Sequence, residues 1–407
     1  MTSPATARAR DDLLEPPEID IDPYADEVVL NPYPFFDLMR EAGPVVRLSK
    51  YGVYASGRYE ESKQIFNDHD RFMASAGIGI ADIRKPGAFR IPNRLLENDP
   101  PSHTAIRGTL TKYLSPITIR RWRDHFEVEA ARLADELVER GRFDGVEDLA
   151  EAYVLKVFPE AVGVELPRVE ALTIGEMGFN QAGPYNEKHR RAVERAQPYL
   201  EWYENSIKRE SMRPGSIGEM VLDAEARGEF DPGVGSNIMR AFVRGGVDTT
   251  VAGIGFALNQ LARNPDQFAL LRDNAALAKN TFEEAIRHES PSYVNFRTTT
   301  RETELSGYRL DADTKIGTFS GAANRDPRFW KDPEKFDITR DVTGIHVAFG
   351  HGSHTCIGQM IARLEAECIL RALSQRISAI ELDGEMRYRA VNQLHTLDVL
   401  PLKVTPR

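Results

Sequence analysis

Apolar residues recur at steps of three and four positions through most of the chain from about residue 102 to residue 263. That spacing predicts amphipathic helices. The last helix of this stretch has Ser236 as its N-cap and ends at Pro265. A further helix is predicted over 279–289, closed by Pro291, and a long one over 356–374. The stretches with the helical period are 120–140, 148–162, 190–212 and 236–263.

Short extended segments accompany these helices. Residues 45–48 and 53–56 flank a four-residue turn and predict a β-hairpin. Residues 296–310 are rich in β-branched side chains around a Ser306-Gly307 turn, which predicts a small sheet. Residues 385–404 read as short strands. The Gly- and Pro-punctuated stretch 73–98 is predicted to be a long loop, and ordered loops of that length commonly carry function.

The overall organisation follows from this pattern. No repeat, low-complexity tract or linker divides the 407 residues. We therefore expect a mainly α single domain with a minor β portion over residues 26–407. The first 25 residues are rich in Pro, Asp and Glu and are predicted to form a flexible N-terminal segment.

Charge and hydropathy exclude several classes of function. The chain has 52 Lys and Arg against 62 Asp and Glu, a formal net charge of −10, which argues against a nucleic-acid partner. The longest uncharged apolar run is 251–258, far short of the roughly 20 residues that span a bilayer. Asp11 and Asp12 stand where a signal peptide would have its apolar core. A cytoplasmic protein of enzyme size is expected.

Two cysteines are too few for a disulfide framework and point to a reducing compartment. Cys356 and Cys368 would lie about 18 Å apart along one helix, so they cannot form a disulfide. Cys368 lies among apolar residues and is predicted to pack in the core. Cys356 follows His351 and His354 and is predicted to open a helix, where N–H groups and the helix dipole favour a thiolate. From the chemistry alone, a nucleophile and a metal-bound thiolate remain equally open, and zinc is disfavoured because further ligands are scarce.

The sequence Phe349-Gly-x-Gly-x-His354-x-Cys356-x-Gly358 resembles the haem-binding signature of the cytochromes P-450. Three more segments resemble motifs of that family in the same order, from about residue 30 to the end of the chain. They are Asp99-Pro-Pro-Ser-His-Thr-x-x-Arg107 of helix C, Gly245-Gly-Val-Asp-Thr-Thr250 of helix I and Glu284-x-x-Arg287 of helix K. The resemblance implies the triangular, helix-rich cytochrome P-450 fold and haem b, with Cys356 as the axial ligand of the iron.

The same resemblance implies roles for other polar residues. His103, Arg107 and Arg297 match positions that hold the haem propionates, and His354 is preferred over His346 as a further partner. Propionates are carboxylates inside the protein and need charged or hydrogen-bonding donors. The missing side chain at Gly358 leaves room for a flat ligand on the start of the helix.

Helices I and K carry the remaining family positions. Gly245 and Gly246 predict a local widening of a helix, with Asp248 and Thr249 beside it as the groups that deliver protons for dioxygen activation. Glu284 and Arg287 are expected to form a structural ion-pair network, as in the family. A second arginine completes that network, and the candidates are Arg325, Arg328 and Arg340.

Several further segments resemble one group within the family, namely Arg40-Glu-Ala-Gly43, Phe89-Arg-Ile-Pro-Asn93, Phe179-Asn180-x-x-Gly183-Pro184, Val247-Asp-Thr-Thr-Val-Ala-Gly-Ile-Gly255 and Phe296-Arg-Thr-Thr-Thr-Arg-Glu302. On these segments the chain most resembles bacterial enzymes that demethylate para-methoxybenzoate. That resemblance implies a substrate carboxylate held by the loop before helix C and by helix I, and an aromatic ring clamped by apolar side chains. The predicted substrate contacts are Arg90, Asn93, Leu96, Phe179, Ala182, Ala241, Arg244, Gly245 and Phe296. Arg244 is placed either against the substrate carboxylate or against Asp248.

The expected reaction is hydroxylation or O-demethylation of a para-substituted benzoate, which for para-methoxybenzoate gives 4-hydroxybenzoate and formaldehyde. Electrons would come from a ferredoxin and its NAD(P)H-dependent reductase, and the protein is expected to be a monomer. Two alternatives stay open at this stage. One is a different small hydrophobic substrate, and the other is a haem-thiolate binding or sensing protein without oxygenase activity.

Overall fold

The structure is a computed structural model that describes residues 13–86 and 92–407. Its helices, in chain order, are α1 (Asp26–Leu30), α2 (Tyr33–Ala42), α3 (Tyr59–Asn67), α4 (Ser102–Tyr113), α5 (Pro116–Ile119), α6 (Arg123–Arg140), α7 (Ala152–Val162), α8 (Arg168–Ala182), α9 (Glu187–Ala196), α10 (Leu200–Ser206), α11 (Ile217–Ala226), α12 (Val234–Gly245), α13 (Asp248–Arg263), α14 (Pro265–Asp273), α15 (Ala278–His288), α16 (Ser320–Ala323) and α17 (Gln359–Ser374). The mainly α prediction is confirmed.

The strands form one larger sheet and three small ones. The larger sheet has the order β1-β2-β3-β9-β6-β4, a second has the order β10-β13-β5, and two hairpins pair β7 with β8 and β11 with β12. The strands are β1 (Glu18–Ile19), β2 (Val46–Leu48), β3 (Val53–Ser56), β4 (Phe72–Met73), β5 (Arg142–Asp144), β6 (Asn295–Thr299), β7 (Thr303–Leu305), β8 (Tyr308–Leu310), β9 (Lys315–Thr318), β10 (Ile377–Leu382), β11 (Arg387–Tyr388), β12 (Leu397–Val399) and β13 (Pro401–Pro406).

Several local predictions are confirmed. β2 and β3 pair antiparallel as the predicted hairpin, and β7 and β8 pair around the Ser306-Gly307 turn. Both turn residues have positive φ, at 52° and 87°, which suits a tight two-residue connection. The predicted helix over 279–289 is α15.

Helix α13 lies at the centre of the main hydrophobic core. Every residue from Thr250 to Leu261 is buried, as expected for a helix with apolar or small side chains on all faces. Helices α6, α7, α15 and α17 contribute their apolar faces to the same core. Along the described chain, no helix combines the length and the apolar character that crossing a bilayer requires.

Two boundaries differ from the predictions. Residues 13–25 make specific contacts, since β1 pairs in parallel with β2 and Tyr24 is buried. These contacts make residues 13–25 part of the folded domain, whereas the domain was predicted to begin at residue 26. The predicted helix over 236–263 is two helices, α12 and α13, interrupted at Gly246 and Val247.

A loop over residues 389–396 joins β11 to β12 and fastens several elements together. Asn392, which is fully buried, bonds through its backbone N–H and its amide to Asn180 at the end of α8. Its amide also exchanges hydrogen bonds with Asn186, the N-cap of α9, at 3.0 and 2.8 Å. The backbone N–H of His395 donates to the carbonyl of Pro291, which follows α15. Loop 389–396 therefore links the α8–α9 turn to the segment between α15 and β6.

Candidate active site

A cavity of about 280 Å³ is bounded by α8, α12, α13, α15, β6 and the segment 348–358. Cys356 and Gly358 form part of its wall, and Thr249 faces it from the first turn of α13. Most of the remaining wall is apolar. The segment that carries the signature and the segment that carries the Asp-Thr pair therefore meet at one cavity, although about 100 residues separate them in sequence.

Cys356 lies just before a helix, and its accessible surface faces the cavity. Helix α17 begins at Gln359, three residues later than predicted. Burial raises the pKa of the Cys356 thiol, while the backbone N–H groups of Gly358 and Gln359 and the cations Arg107 and Arg363 act in the opposite direction. Amides at a helix start and two nearby guanidinium groups are the surroundings that stabilise a thiolate.

Cations and histidines gather beside this sulphur without carboxylate partners among the residues that the structure describes. Arg107 and Arg297 line the cavity together with His354. The His103 and His354 rings lie 3.9 Å apart between centroids. Within residues 13–86 and 92–407, both nitrogens of His103 and Nε2 of His354 have no hydrogen-bond partner. Burial and the neighbouring cations lower the pKa of His103 to about 4 and that of His354 to about 2.

His346 points elsewhere. Its Nε2 lies 2.8 Å from Glu283, and both side chains are buried. Because this histidine is already paired with a carboxylate, it does not belong to the group that faces the cavity. The preference for His354 over His346 agrees with this geometry.

These residues fit the haem b that the sequence resemblance implies. Burial lowers the pKa of Arg297 to about 10, and the side chain bonds only to a neighbouring backbone carbonyl in the described part of the protein. A buried cation of this kind needs an anion, and haem b carries two propionates. A Cβ placed on Gly358 would meet nothing closer than the Cys356 sulphur at 4.0 Å, so a flat ligand has room there.

The break between α12 and α13 shapes the opposite wall. The Thr249 hydroxyl donates to the Gly245 carbonyl at 2.8 Å, and the Thr250 hydroxyl lies 3.2 Å from the Gly246 carbonyl. These side chains occupy carbonyls that backbone N–H groups would bind in an unbroken helix. Gly245 faces the cavity. The helix is therefore interrupted at the position where the widening was predicted, and Thr249 borders this interruption.

Asp248 is turned away from the cavity into the protein. It is 2% exposed, and neither carboxylate oxygen has a hydrogen-bond partner among the described residues. Its Oδ1 lies 3.6 Å from Nη2 of Arg389 in loop 389–396, and the missing side chain of Gly175 on α8 makes room for Oδ2. Burial raises the pKa of Asp248 to about 7, Arg389 opposes that rise, and Glu176 and Glu151 add to it.

The Glu284–Arg287 pair is fully buried, with both oxygens of Glu284 bonded to the guanidinium at 2.7 and 2.8 Å. Arg340 is the second arginine of the network, since its Nε lies 3.5 Å from Glu284. Arg325 and Arg328 bind other carboxylates, Glu334 and Glu41. The network also holds the backbone carbonyls of residues 324 and 333, which lie before the signature segment.

Four of the predicted substrate contacts line the cavity, namely Leu96, Phe179, Ala241 and Gly245. Arg90 lies outside the described residues. Arg244 does not reach the wall, because its guanidinium donates to Gln181 of α8 at 2.9 Å. It is not paired with Asp248, so that alternative is wrong.

Three other predicted contacts are corrected by the structure. Asn93 uses its amide to bond the carbonyl of Asn237 and the N–H groups of Leu95 and Leu96, which fixes its own loop. Phe296 points to the opposite face of β6 and packs in a separate core cluster. Ala182 is buried where its carbonyl accepts from Ile80.

The sequence analysis missed several wall residues for which a signal existed. Ile238 and Phe242 were missed, although they lie at helical spacing from the predicted wall residues Ala241 and Gly245. On β6, Asn295 lies two residues before Arg297 and shares its face by the strand period of two. Ile78 and Leu95 come from an irregular loop, and no period predicts them.

Comparison with known proteins agrees with the site. The cytochrome P450 family profile matches residues 182–389. The chain is 44% identical over 392 residues to cytochrome P450 CYP199A2 of Rhodopseudomonas palustris, covering 96% of this chain and 95% of that protein. It is 28% identical to cytochrome P450-terp of a Pseudomonas species, over 94% and 95% of the two chains. The solved structure of cytochrome P450 CYP109Q5 from Chondromyces apiculatus superposes with a TM-score of 0.79 at 29% identity, covering 95% of this chain and 99% of that one.

Sequence, fold and the group of residues around Cys356 agree, and haem b is the cofactor that this family binds through a cysteine thiolate. The alternative of a nucleophilic cysteine is thereby set aside. The chain belongs to the cytochrome P450 family of monooxygenases.

Proposed function

We propose that this P450 hydroxylates or O-demethylates a small aromatic acid, with para-methoxybenzoate or a similar para-substituted benzoate as substrate. O-demethylation of para-methoxybenzoate gives 4-hydroxybenzoate and formaldehyde. The observation that carries the proposal is a cation without an acidic partner beside an apolar cavity. Arg244 forms no ion pair with any described carboxylate and bonds the neutral amide of Gln181.

The residues around Cys356 would hold the cofactor. Cys356 would supply the thiolate ligand of the iron, and His103, Arg107, Arg297 and His354 would supply donors for the two propionates. When bound, haem supplies the thiolate-ligated iron at which dioxygen is activated and one oxygen atom is transferred to the substrate. The apolar wall excludes water from this reaction, which limits wasteful side reactions.

Proton delivery is assigned to Thr249 and Asp248. The Thr249 hydroxyl lies at the cavity wall, where it can pass a proton inward because it is both a donor and an acceptor. Asp248 stores a proton behind it, and a carboxyl whose pKa is about 7 exchanges protons readily near neutral pH. Arg389 faces the Asp248 carboxylate on the side away from the cavity.

The substrate side of the cavity suits a flat, mostly apolar molecule with one anionic end. Leu96, Phe179 and Phe242 give apolar and aromatic contact area for a ring. Ala241 and Gly245 lie on either side of Arg244 in α12 and both line the wall. The proposal requires the arginine side chain to rotate away from Gln181, its partner in this structure, towards the substrate carboxylate. Gly178 leaves space for that side chain, since a Cβ there would lie 2.8 Å from its Nε.

The test compares an acid with its neutral analogue in Arg244→Ala. Burying a carboxylate without a partner is costly, so binding of para-methoxybenzoate should weaken by ~2 kcal/mol or more, whereas its methyl ester should bind almost as before. The shift of the ferric haem from low to high spin reports both affinities. Equal losses for acid and ester would contradict the proposed anion contact.

Two further variants sharpen this test. Gln181→Ala removes the present partner of Arg244 and should leave acid binding unchanged or tighter. Arg263→Ala is the matched control, because it removes the same charge at the far end of α13, where the guanidinium bonds Asn259. A loss of acid binding in the control as large as that in Arg244→Ala would point to a general effect of net charge.

A further inference from the structure

A buried ionic cluster that the proposed reaction does not use lies against the signature segment. It consists of Glu283 on α15, His346 and Arg363 on α17, and is called the Glu283 cluster below. The side chains of Glu283 and His346 are 0% and 1% exposed, and that of Arg363 is 11% exposed. Glu283 accepts from Nε2 of His346 at 2.8 Å and from Nε and Nη2 of Arg363.

The hydrogen bonds fix the charges in this cluster. Nδ1 of His346 accepts from the backbone N–H of Ala348 at 3.2 Å, so the ring proton is on Nε2 and points at Glu283. Burial alone would raise the pKa of Glu283, but the hydrogen bonds that it accepts from His346 and Arg363 lower it to about 2. The cluster is therefore a neutral histidine with one carboxylate and one guanidinium.

Arg363 connects the cluster to the axial ligand. Its guanidinium lies over the Phe349 ring, 4.7 Å from the centroid, and also bonds Gln359 at the start of α17. The Phe349 carbonyl accepts from the backbone N–H of Cys356 at 2.8 Å, so Phe349 and Cys356 are the bonded ends of one loop. Arg107 is bonded to the carbonyl of Thr355, the residue before Cys356, so Arg107 and Arg363 both contact the segment that carries the sulphur.

We propose that Glu283 and Arg363 are positioning residues that act through Cys356, and that their opposite charges set how much electron density its sulphur donates to the haem iron. A cation near a thiolate holds electron density on the sulphur and favours the reduced iron, and an anion has the reverse effect. Groups around an axial ligand tune redox potential in this way in other metal sites. The proposal rests on the assignment of Cys356 as the axial ligand.

The experiment measures the midpoint reduction potential of substrate-free holoenzyme. Arg363→Gln should shift the potential to a more negative value, because the cation is lost and Glu283 is left. Glu283→Gln should shift it to a more positive value, because Arg363 loses its counter-charge. The double variant should return towards the wild-type potential. The absorption spectrum of the reduced carbon monoxide complex of the wild type tests the Cys356 assignment separately.

A purely structural role predicts something different. If the cluster only holds the loop in place, both single variants should shift the reduction potential in the same direction. The double variant should then shift it further than either single variant. That outcome, or no shift in either single variant, would overturn the proposal. Arg371→Gln is the matched control on the same helix, since Arg371 pairs with Glu367 and should leave the potential unchanged. A control shift as large as that of Arg363→Gln would also overturn it.

Arg363→Lys keeps the positive charge but lacks the planar guanidinium group, and its reduction potential should stay near that of the wild type. If Arg363→Gln fails to take up haem, the comparison of Glu283→Gln with Arg363→Lys decides the question, because only the first should raise the potential. A rise in neither variant, or an equal rise in both, would refute the electrostatic role.

Discussion

At the scale of single residues, Gly245 and Gly246 are adjacent but face different surroundings. A Cβ at Gly246 would lie 2.2 Å from the ring of Phe158 on α7, whereas a Cβ at Gly245 would meet nothing within 4 Å. Gly246 is required by a close helix crossing, and Gly245 borders the cavity. The two explanations that sequence alone could offer for this glycine pair, packing and function, therefore each apply to one of them.

This difference gives a matched pair of substitutions. Gly246→Ala should lower the free energy of unfolding by about 1–3 kcal/mol, since a rigid ring must move. Gly245→Ala should leave stability unchanged or raise it by up to about 1 kcal/mol through helix propensity, and should weaken substrate binding by filling the cavity. Urea unfolding and the haem spin shift measure the two effects. Equal destabilisation by both alanines would contradict this account.

The carboxyl of Asp248 should make stability depend on pH. Burial raises its pKa from 3.8 to about 7, so the folded protein binds the proton more tightly than the unfolded chain. The stability from this proton is complete below pH 3.8 and is lost as the pH rises through about 7. The free energy of unfolding of Asp248→Asn should therefore rise relative to that of the wild type across this pH window. At pH values above the window the difference should reach up to about 4 kcal/mol.

Urea unfolding of the holoenzyme at several pH values measures this gain. Thr249→Val is the control, because it alters the neighbouring residue without a titrating group, and its pH profile should parallel the wild type. A constant difference between Asp248→Asn and wild type at all pH values would contradict the raised pKa. Asp248→Asn should also lose the coupling between NAD(P)H oxidation and product formation, because its amide cannot store a proton.

At the scale of elements, the buried Glu284–Arg287 pair ties α15 to the segment before the signature. Glu284→Gln leaves Arg287 with a buried, uncompensated charge and should destabilise the fold by about 3–5 kcal/mol, with a lower haem content after purification. Glu127→Gln breaks the partly exposed Arg123 pair on α6 and should cost less than ~1 kcal/mol. Similar losses in both variants would show that burial of the pair contributes little.

Helix patterns and motifs predict that an element exists more accurately than they predict the residues at which it begins and ends. The apolar period of 236–263 continues through residues 246 and 247, so it predicts one helix where the structure has two. The period of apolar positions carries no information about the hydrogen bond from the Thr249 hydroxyl to the Gly245 carbonyl. The helix predicted from Cys356 likewise begins three residues too early, because residues 356–358 do not interrupt the helical spacing of the apolar positions.

Side-chain direction was the weakest part of the predicted site. Family motifs locate Arg107, Arg297, His354, Cys356 and Thr249, all of which meet at the cavity. The predicted contacts Asn93 and Phe296 do not, because one amide is used by its own loop and one ring follows the alternation of its strand. Hydrogen bonds between distant segments, such as that of Arg244 with Gln181, leave no trace in a single sequence.

At the scale of the whole molecule, we expect the chain to receive its electrons from a separate protein. It contains two cysteines, one of which is Cys356, whereas a [2Fe–2S] cluster of the ferredoxin type needs four. We expect NAD(P)H oxidation and product formation only when a ferredoxin and its reductase are added to the purified holoenzyme. Substrate-dependent oxidation of NAD(P)H by the chain alone would contradict this dependence.

Loop 389–396 has a consequence for chimeric enzymes built from related P450s. Asp248 and Arg389, which face each other in the interior, are separated by about a third of the chain. Any crossover between these positions takes the acid from one parent and its cation from the other. Such hybrids would bring together an acid and a cation that were never selected together, behind the site of the proposed proton delivery, although every residue at the cavity wall could come from a single parent.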